Sequence, residues 1–141
     1  MSVKVTLIEE IKVNRQWFCY GVPTLKRYPL LFKLLGVRDN LTPFKTEKGI
    51  PSDLSEVGKL LLKFHQDQEV GYSYNWLNFD EIKELYQLLQ QELLKNRHDL
   101  MLPQSEEDLG FDYLFGNGMD FLPTEILPEV EDVRFVYWFS K

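Results

Sequence analysis

Only one cysteine, Cys19, occurs in the 141 residues, so no internal disulfide can form. A chain of this length buries enough surface to fold without such a staple. Cys19 lies in the apolar run QWFCY, where a thiol acts as a small buried hydrophobe. That usage suits a reducing, cytoplasmic compartment. Histidine is nearly as scarce, with only His65 and His98. Both fall near the ends of expected helices, where a protonated imidazole favours the negative pole of the dipole. HExxH, CxxC and paired-histidine spacings are all missing, which argues against a zinc site. The phosphate-cradling patterns GxxxxGK[ST] and GxGxxG are missing too, as is the nucleophile pattern GxSxG. GNG at 116–118 is turn chemistry, and the acid-rich EEDLGFD at 106–112 lacks the ligand spacing of a calcium loop. Basic charge is also short. Sixteen Lys and Arg face 22 Asp and Glu, a formal charge of −6, which speaks against a broad nucleic-acid face. No apolar run approaches the roughly 18 residues of a membrane-spanning helix. The opening MSVKVTLIEE has neither the cationic start nor the apolar block of a secretory signal.

What the chain does have is aromatic weight. Phe, Tyr and Trp make up 14% of it, within a total of 44% hydrophobic residues and 27% charged. Such rings supply large burial per residue and favour an ordered core. Length and composition fit one domain over 1–141.

Val3, Val5, Leu7, Ile11 and Val13 share one parity, as in a half-buried strand, with Glu9 and Glu10 at a candidate bulge. Asn14 and Arg15 can turn the chain into QWFCY as a second strand. RYPLLFKLLG at 27–36 reads as a short helix, opened by Pro29 and closed by Gly36. VRDNLTPFKTEKGIP is a loop. SDLSEVGKLLLKFHQDQ is a second helix, capped by Ser52 or Ser55 and weakened by Gly58. The clearest signal follows. Asn78 and Glu81 form a capping box flanked by Leu77 and Ile82, which predicts a third helix over about 79–97. FDYLF could be a short strand. VRFVYWFSK closes the chain as a near-continuous apolar run, the mark of a central strand covered on both faces. The order predicts an α+β fold: a small antiparallel sheet, made from the N-terminal hairpin and the C-terminal strand, with about three helices packed on one face.

Before the capping box comes GYSYNW. If Asn78 caps a helix, Tyr72, Tyr74 and Trp76 lie in extended or looped chain, and in an extended segment alternate rings point one way. They then pack the core edge or line a surface together with Asn75. GVRDN places Arg38 on a loop directly after a helix end. Aromatics beside an Arg are typical of binding hot spots.

Four stretches together resemble a family of small uncharacterised proteins of phages and bacterial genomes. Arg27, Tyr28, Leu31, Phe32, Leu35, Val37 and Arg38 match its R-N-Y-x-L-F-x-x-L-A-x-V-R-N pattern. Gly49, Pro51, Asp53 and Ser55 match G-L-P-x-D-x-S, and Trp76, Leu77 and Glu81 match S-W-L-T-L-x-E-L. Asp132 to Phe139 match the closing D-V-R-x-V-F-W-F-D. The family's histidine before the Trp is missing here. The resemblance implies an accessory role in a phage or mobile element and no mechanism. It adds Asp53 to the candidates, either as a ligand-binding residue or as a loop lock that caps the second helix or pairs with Arg38.

The leading expectation is a cytoplasmic protein that acts by contact, binding a host or phage protein or sequestering a small molecule. Its surface would comprise Arg38, Asp53, Tyr72, Tyr74, Asn75 and Trp76, with no metal, no cofactor and no membrane. One rival is a small hydrolase or transferase using two converging carboxylates, one with a raised pKa. Another is a subunit of a homo-oligomer, such as a homodimer, joined edge to edge through an apolar patch on the terminal strand.

Overall fold

The computed structural model of the chain describes residues 4–22, 35–36, 47–68, 71–95 and 128–140. These residues contain four strands: β1 (Lys4–Val13), β2 (Gln16–Gly21), β3 (Gly71–Leu77) and β4 (Asp132–Ser140). They form one antiparallel sheet in the order β2-β1-β4-β3. Among the described residues two helices accompany it, α1 (Glu56–Asp67) and α2 (Phe79–Lys95), so the fold is α+β.

The hairpin forms as its sequence suggests. Asn14 and Arg15 sit at φ 50° and 64°. Two successive left-handed residues make the tight turn whose twist matches the flanking strands. The register slips between Glu9 and Glu10, because Glu9 faces Gly21 while Glu10 faces Cys19, and the extra residue is Tyr20 of β2. The strand nearest the end of the sequence pairs with the first from Lys4↔Ser140 to Lys12↔Asp132, so β1 and β4 lie side by side at the sheet centre.

The sheet differs from the expected one in three respects. It gains a fourth strand, because the extended stretch GYSYNWL pairs with β4. β1 is not half-buried at its middle: Leu7, Ile8, Glu9 and Glu10 are all buried, on both faces. Helices on one face do not account for β4, in which every residue from Val133 to Ser140 is buried. On the even-numbered face, Ile8, Val136 and Trp138 pack with Leu54, Leu61 and Leu62 at the start of and along α1. On the odd-numbered face, α2 lies against β4 and β3, and its Glu81 bears electrostatically on Tyr137. Since β4 is central, it offers no edge for pairing between copies. The edges among the described strands are β2 and β3.

Both described helices start where their caps predict. The Ser55 hydroxyl accepts from Gly58 N at 3.2 Å, and Lys59 N bonds Ser55 O at 2.9 Å. At α2 the capping box is complete: Glu81 N donates to Asn78 Oδ1 at 2.9 Å and Asn78 N donates to Glu81 Oε1 at 3.0 Å. Leu77 and Ile82 beside it are fully buried. Of the expected first helix only Leu35, helical and buried, and Gly36, at φ 78° as a glycine cap requires, are described. FDYLF and GNG lie outside the described residues. No helix among the described residues is long and apolar enough to cross a membrane.

Candidate functional site

Two polar clusters pin loops to the sheet, and a cleft lies between them. The first is built on a cross-strand pair, Glu10 of β1 opposite Arg134 of β4. Arg134 Nε donates to Glu10 Oε1 at 2.7 Å, and the other Glu10 oxygen accepts Ser55 N at 2.8 Å. The guanidinium reaches on to the 51–55 loop, where Nη1 donates to Asp53 Oδ1 at 2.8 Å and Nη2 to Asp53 O at 3.1 Å. Its Cζ stacks 4.0 Å from the centre of the Trp17 ring. Glu10 is 0% and Arg134 4% exposed. A charge buried so deeply is tolerable only when paired and hydrogen-bonded, and here both Glu10 oxygens and three of the five guanidinium N–H groups have partners. Asp53 behaves differently. Its side chain is 63% exposed, and the hydrogen bond from Arg134 holds its carboxyl below the ordinary range, helped by the Arg134 charge and a bond to Trp17.

The second cluster centres on Asn75. Its Oδ1 accepts Lys48 N at 2.8 Å and Trp76 N at 2.9 Å, and its Nδ2 donates to Tyr137 Oη at 3.1 Å. Burial pushes the Tyr137 hydroxyl up to about 12 despite that bond. Lys48 Nζ lies 4.1 Å over the Trp76 ring and pairs with Glu81, the capping-box acid.

Between the clusters opens a surface cleft of about 360 Å³, walled by Trp17 and Trp76, floored by Arg134 and Asp53, and rimmed by Lys12 and Asp132. A smaller hollow of about 210 Å³ shares Trp17 and Asp53 and extends toward Arg15 and Lys59. Rings and fixed charges of both signs thus converge on one place. Arrangements of this kind hold a ligand by stacking and charge-assisted hydrogen bonds.

Of the residues singled out in the sequence, the structure brings Asp53 and Trp76 to this cleft. Asp53 does not cap α1, a role Ser55 takes, and Arg38 lies outside the described residues. The rings of 72–76 do not share a face. Ser73 takes φ 55°, and the register passes from Tyr72↔Phe139 to Asn75↔Tyr137, three residues on β3 against two on β4. This bulge inverts the alternation. Tyr72 packs edge-on against Phe139 on the odd face, whereas Tyr74 joins Trp76 in the even-face cluster against Trp138. Asn75, at 3% exposure, is a structural hub whose oxygen accepts two backbone N–H groups and whose amide donates to Tyr137.

Sequence reasoning missed Glu10, Arg134, Trp17 and Lys48. A signal existed for two of them: Arg134 is the lone cation in an otherwise apolar strand, and the Glu9–Glu10 pair interrupts a hydrophobic alternation. Among the described residues no group of three or more His, Cys, Asp or Glu could hold a metal ion. No protein-family model matches the chain, and neither a curated protein nor a solved structure is significantly similar to it.

Proposed function

We propose that this chain is an accessory protein of the phage or mobile-element kind, acting by contact, and that it docks a polypeptide partner in the cleft between Trp17 and Trp76. One observation carries the reading. Arg134, itself buried and immobilised by Glu10, holds the exposed Asp53 carboxylate in its ionised form between two tryptophans. An acceptor fixed in advance beside aromatic walls binds without the cost of ordering it, and Trp and Arg dominate binding energy where they occur at interfaces. A polypeptide fits better than a sequestered small molecule, because small-molecule sites enclose most of their ligand, and this cleft is open to the surface.

The carboxylate-enzyme reading is less well supported. General acid catalysis needs a carboxyl raised toward its working pH, and Asp53 is shifted the other way. The described carboxyl pushed up to about 7 is Glu9, on the opposite face of the sheet.

Ser52 is exposed on the cleft rim and takes no part in either cluster, so Ser52→Arg fills the cleft without disturbing the fold. Affinity capture from host lysate should recover a protein with the wild type and with Lys83→Glu on α2, and lose it with Ser52→Arg. Capture that ignores Ser52→Arg would sink the proposal. A small molecule retained in native mass spectrometry of the wild type, and lost in Ser52→Arg, would turn the reading toward sequestration.

A further inference from the structure

The outer side of α1 carries a second surface, separate from the cleft. Val57, Leu60 and Phe64 are 46%, 69% and 56% exposed. Their spacing of three and four places them in one stripe along the helix. Leu61, Leu62 and Gly58 meanwhile face the sheet and the core, so α1 is apolar on two sides. One exposed hydrophobe needs no explanation, but three in a row on one rigid helix make a contact surface. Glu56 and Lys63, seven residues apart, lie along one flank of this stripe. Both are exposed. Glu56 makes only a surface pair with Lys59 at 3.2 Å, and Lys63 has no partner among the described residues.

We infer that the stripe is a self-association surface, and that its occupant is α1 of a second copy of this chain, lying antiparallel across a two-fold axis at Leu60. The sequence of the helix is self-complementary in that arrangement. Leu60 meets its own counterpart. Val57 stands three residues before the axis and Phe64 four after it, so each covers the other across the interface at heights of about 4.5 and 6 Å. Glu56 and Lys63 stand four before and three after. A two-fold axis keeps flank residues on the same side, so each Lys63 faces the partner's Glu56, twice over. A parallel pairing about a two-fold axis would instead carry the two Glu56–Lys63 flanks to opposite sides of the interface, where they cannot meet. Self-complementarity under a two-fold is the requirement for a closed dimer. Few side chains are involved, below the roughly 1,000 Å² of a stable interface. The dimer is therefore weak, forming at high micromolar concentration.

Sedimentation velocity over a concentration series up to about 1 mM tests this. The wild type should pass from monomer to dimer. Leu60→Glu, at an exposed site that leaves the fold intact, should abolish the dimer. Lys63→Glu and Glu56→Lys should each weaken it about tenfold, since both flanking pairs become repulsive. A one-to-one mixture of those two variants should restore it as a heterodimer, because every flanking pair is then of opposite sign. A wild type that stays monomeric throughout, a dimer that survives Leu60→Glu, or a mixture no tighter than its components would each overturn the inference. Circular dichroism of every variant separates lost association from lost folding.

Discussion

Glu9 is the most exacting test of this structure. It sits in the central part of β1, opposite Phe135 on β4 and Gly21 on β2. It is 3% exposed, and no hydrogen bond or ion pair compensates it among the described residues. Desolvation alone pushes its carboxyl from 4.5 up to about 7. Between those two values the folded chain holds a proton that the unfolded chain has released. Stability therefore falls as pH rises from 4.5 to about 7 and then levels off. At about 1.4 kcal/mol for each tenfold change in proton affinity, the gap amounts to roughly 3 kcal/mol. Glu9→Gln keeps the shape and removes the ionisation. The variant should match the wild type near pH 4.5, where Glu9 is largely protonated in the fold, and gain up to roughly 3 kcal/mol above pH 7. Urea unfolding at a series of pH values measures both proteins, and their difference cancels the many surface carboxylates of this acidic chain. A difference that stays flat with pH, or a variant less stable throughout, would refute the burial of an uncompensated carboxyl at this position.

Three other substitutions probe local geometry. Gly58→Ala improves helix propensity by about 1 kcal/mol, yet its Cβ would fall 2.8 Å from Leu54 Cγ. Because Leu54 is buried, thermal melts should show a net loss of roughly 1–3 kcal/mol. Arg15 holds φ 64° in the hairpin turn, a conformation that glycine adopts freely. Arg15→Gly should therefore raise the urea midpoint, with a gain of up to about 1 kcal/mol. Arg134→Met strands the buried Glu10 carboxylate and should cost about 3–5 kcal/mol. The double variant Glu10→Leu with Arg134→Met should recover part of that loss in the same denaturation assay, because no lone charge remains.

The fold was legible where local chemistry decides it. Ser55, Asn78 and Glu81 mark helix starts through hydrogen bonds made within four residues, so sequence spacing is enough to find them. The apolar run of β4 likewise announces a central strand, and its pairing with β1 follows from both being rich in β-branched and aromatic residues. β3 was harder to read. Its alternating rings look like one surface, but a single residue, Ser73 in a left-handed conformation, flips the parity midway. A serine carries no strong preference for that conformation, so nothing local foretells the bulge. The partner strand does: Phe139 and Tyr137 need contacts from Tyr72 and Asn75 on the same face, and 61 or more residues of sequence lie between them.

The site was less legible for the same reason. Asp53 and Trp76 stood out, the one through a resemblance and the other through its type, yet neither makes a site alone. What joins them is Arg134, 81 residues from Asp53 and 124 from Glu10. In the sequence Arg134 looks like a solvated interruption of an apolar strand. The opposite is true: it is the most constrained side chain of the cleft, and its position on the even face directly opposite Glu10 is set by strand register. A one-residue slip of β1 against β4 would turn one of the pair to the other face. It would bury two unpaired charges at once, a penalty of several kcal/mol for each. The ion pair that builds the cleft therefore also selects the register of the two central strands. Any sequence change that abolishes the cleft by removing a single partner should loosen the sheet with it.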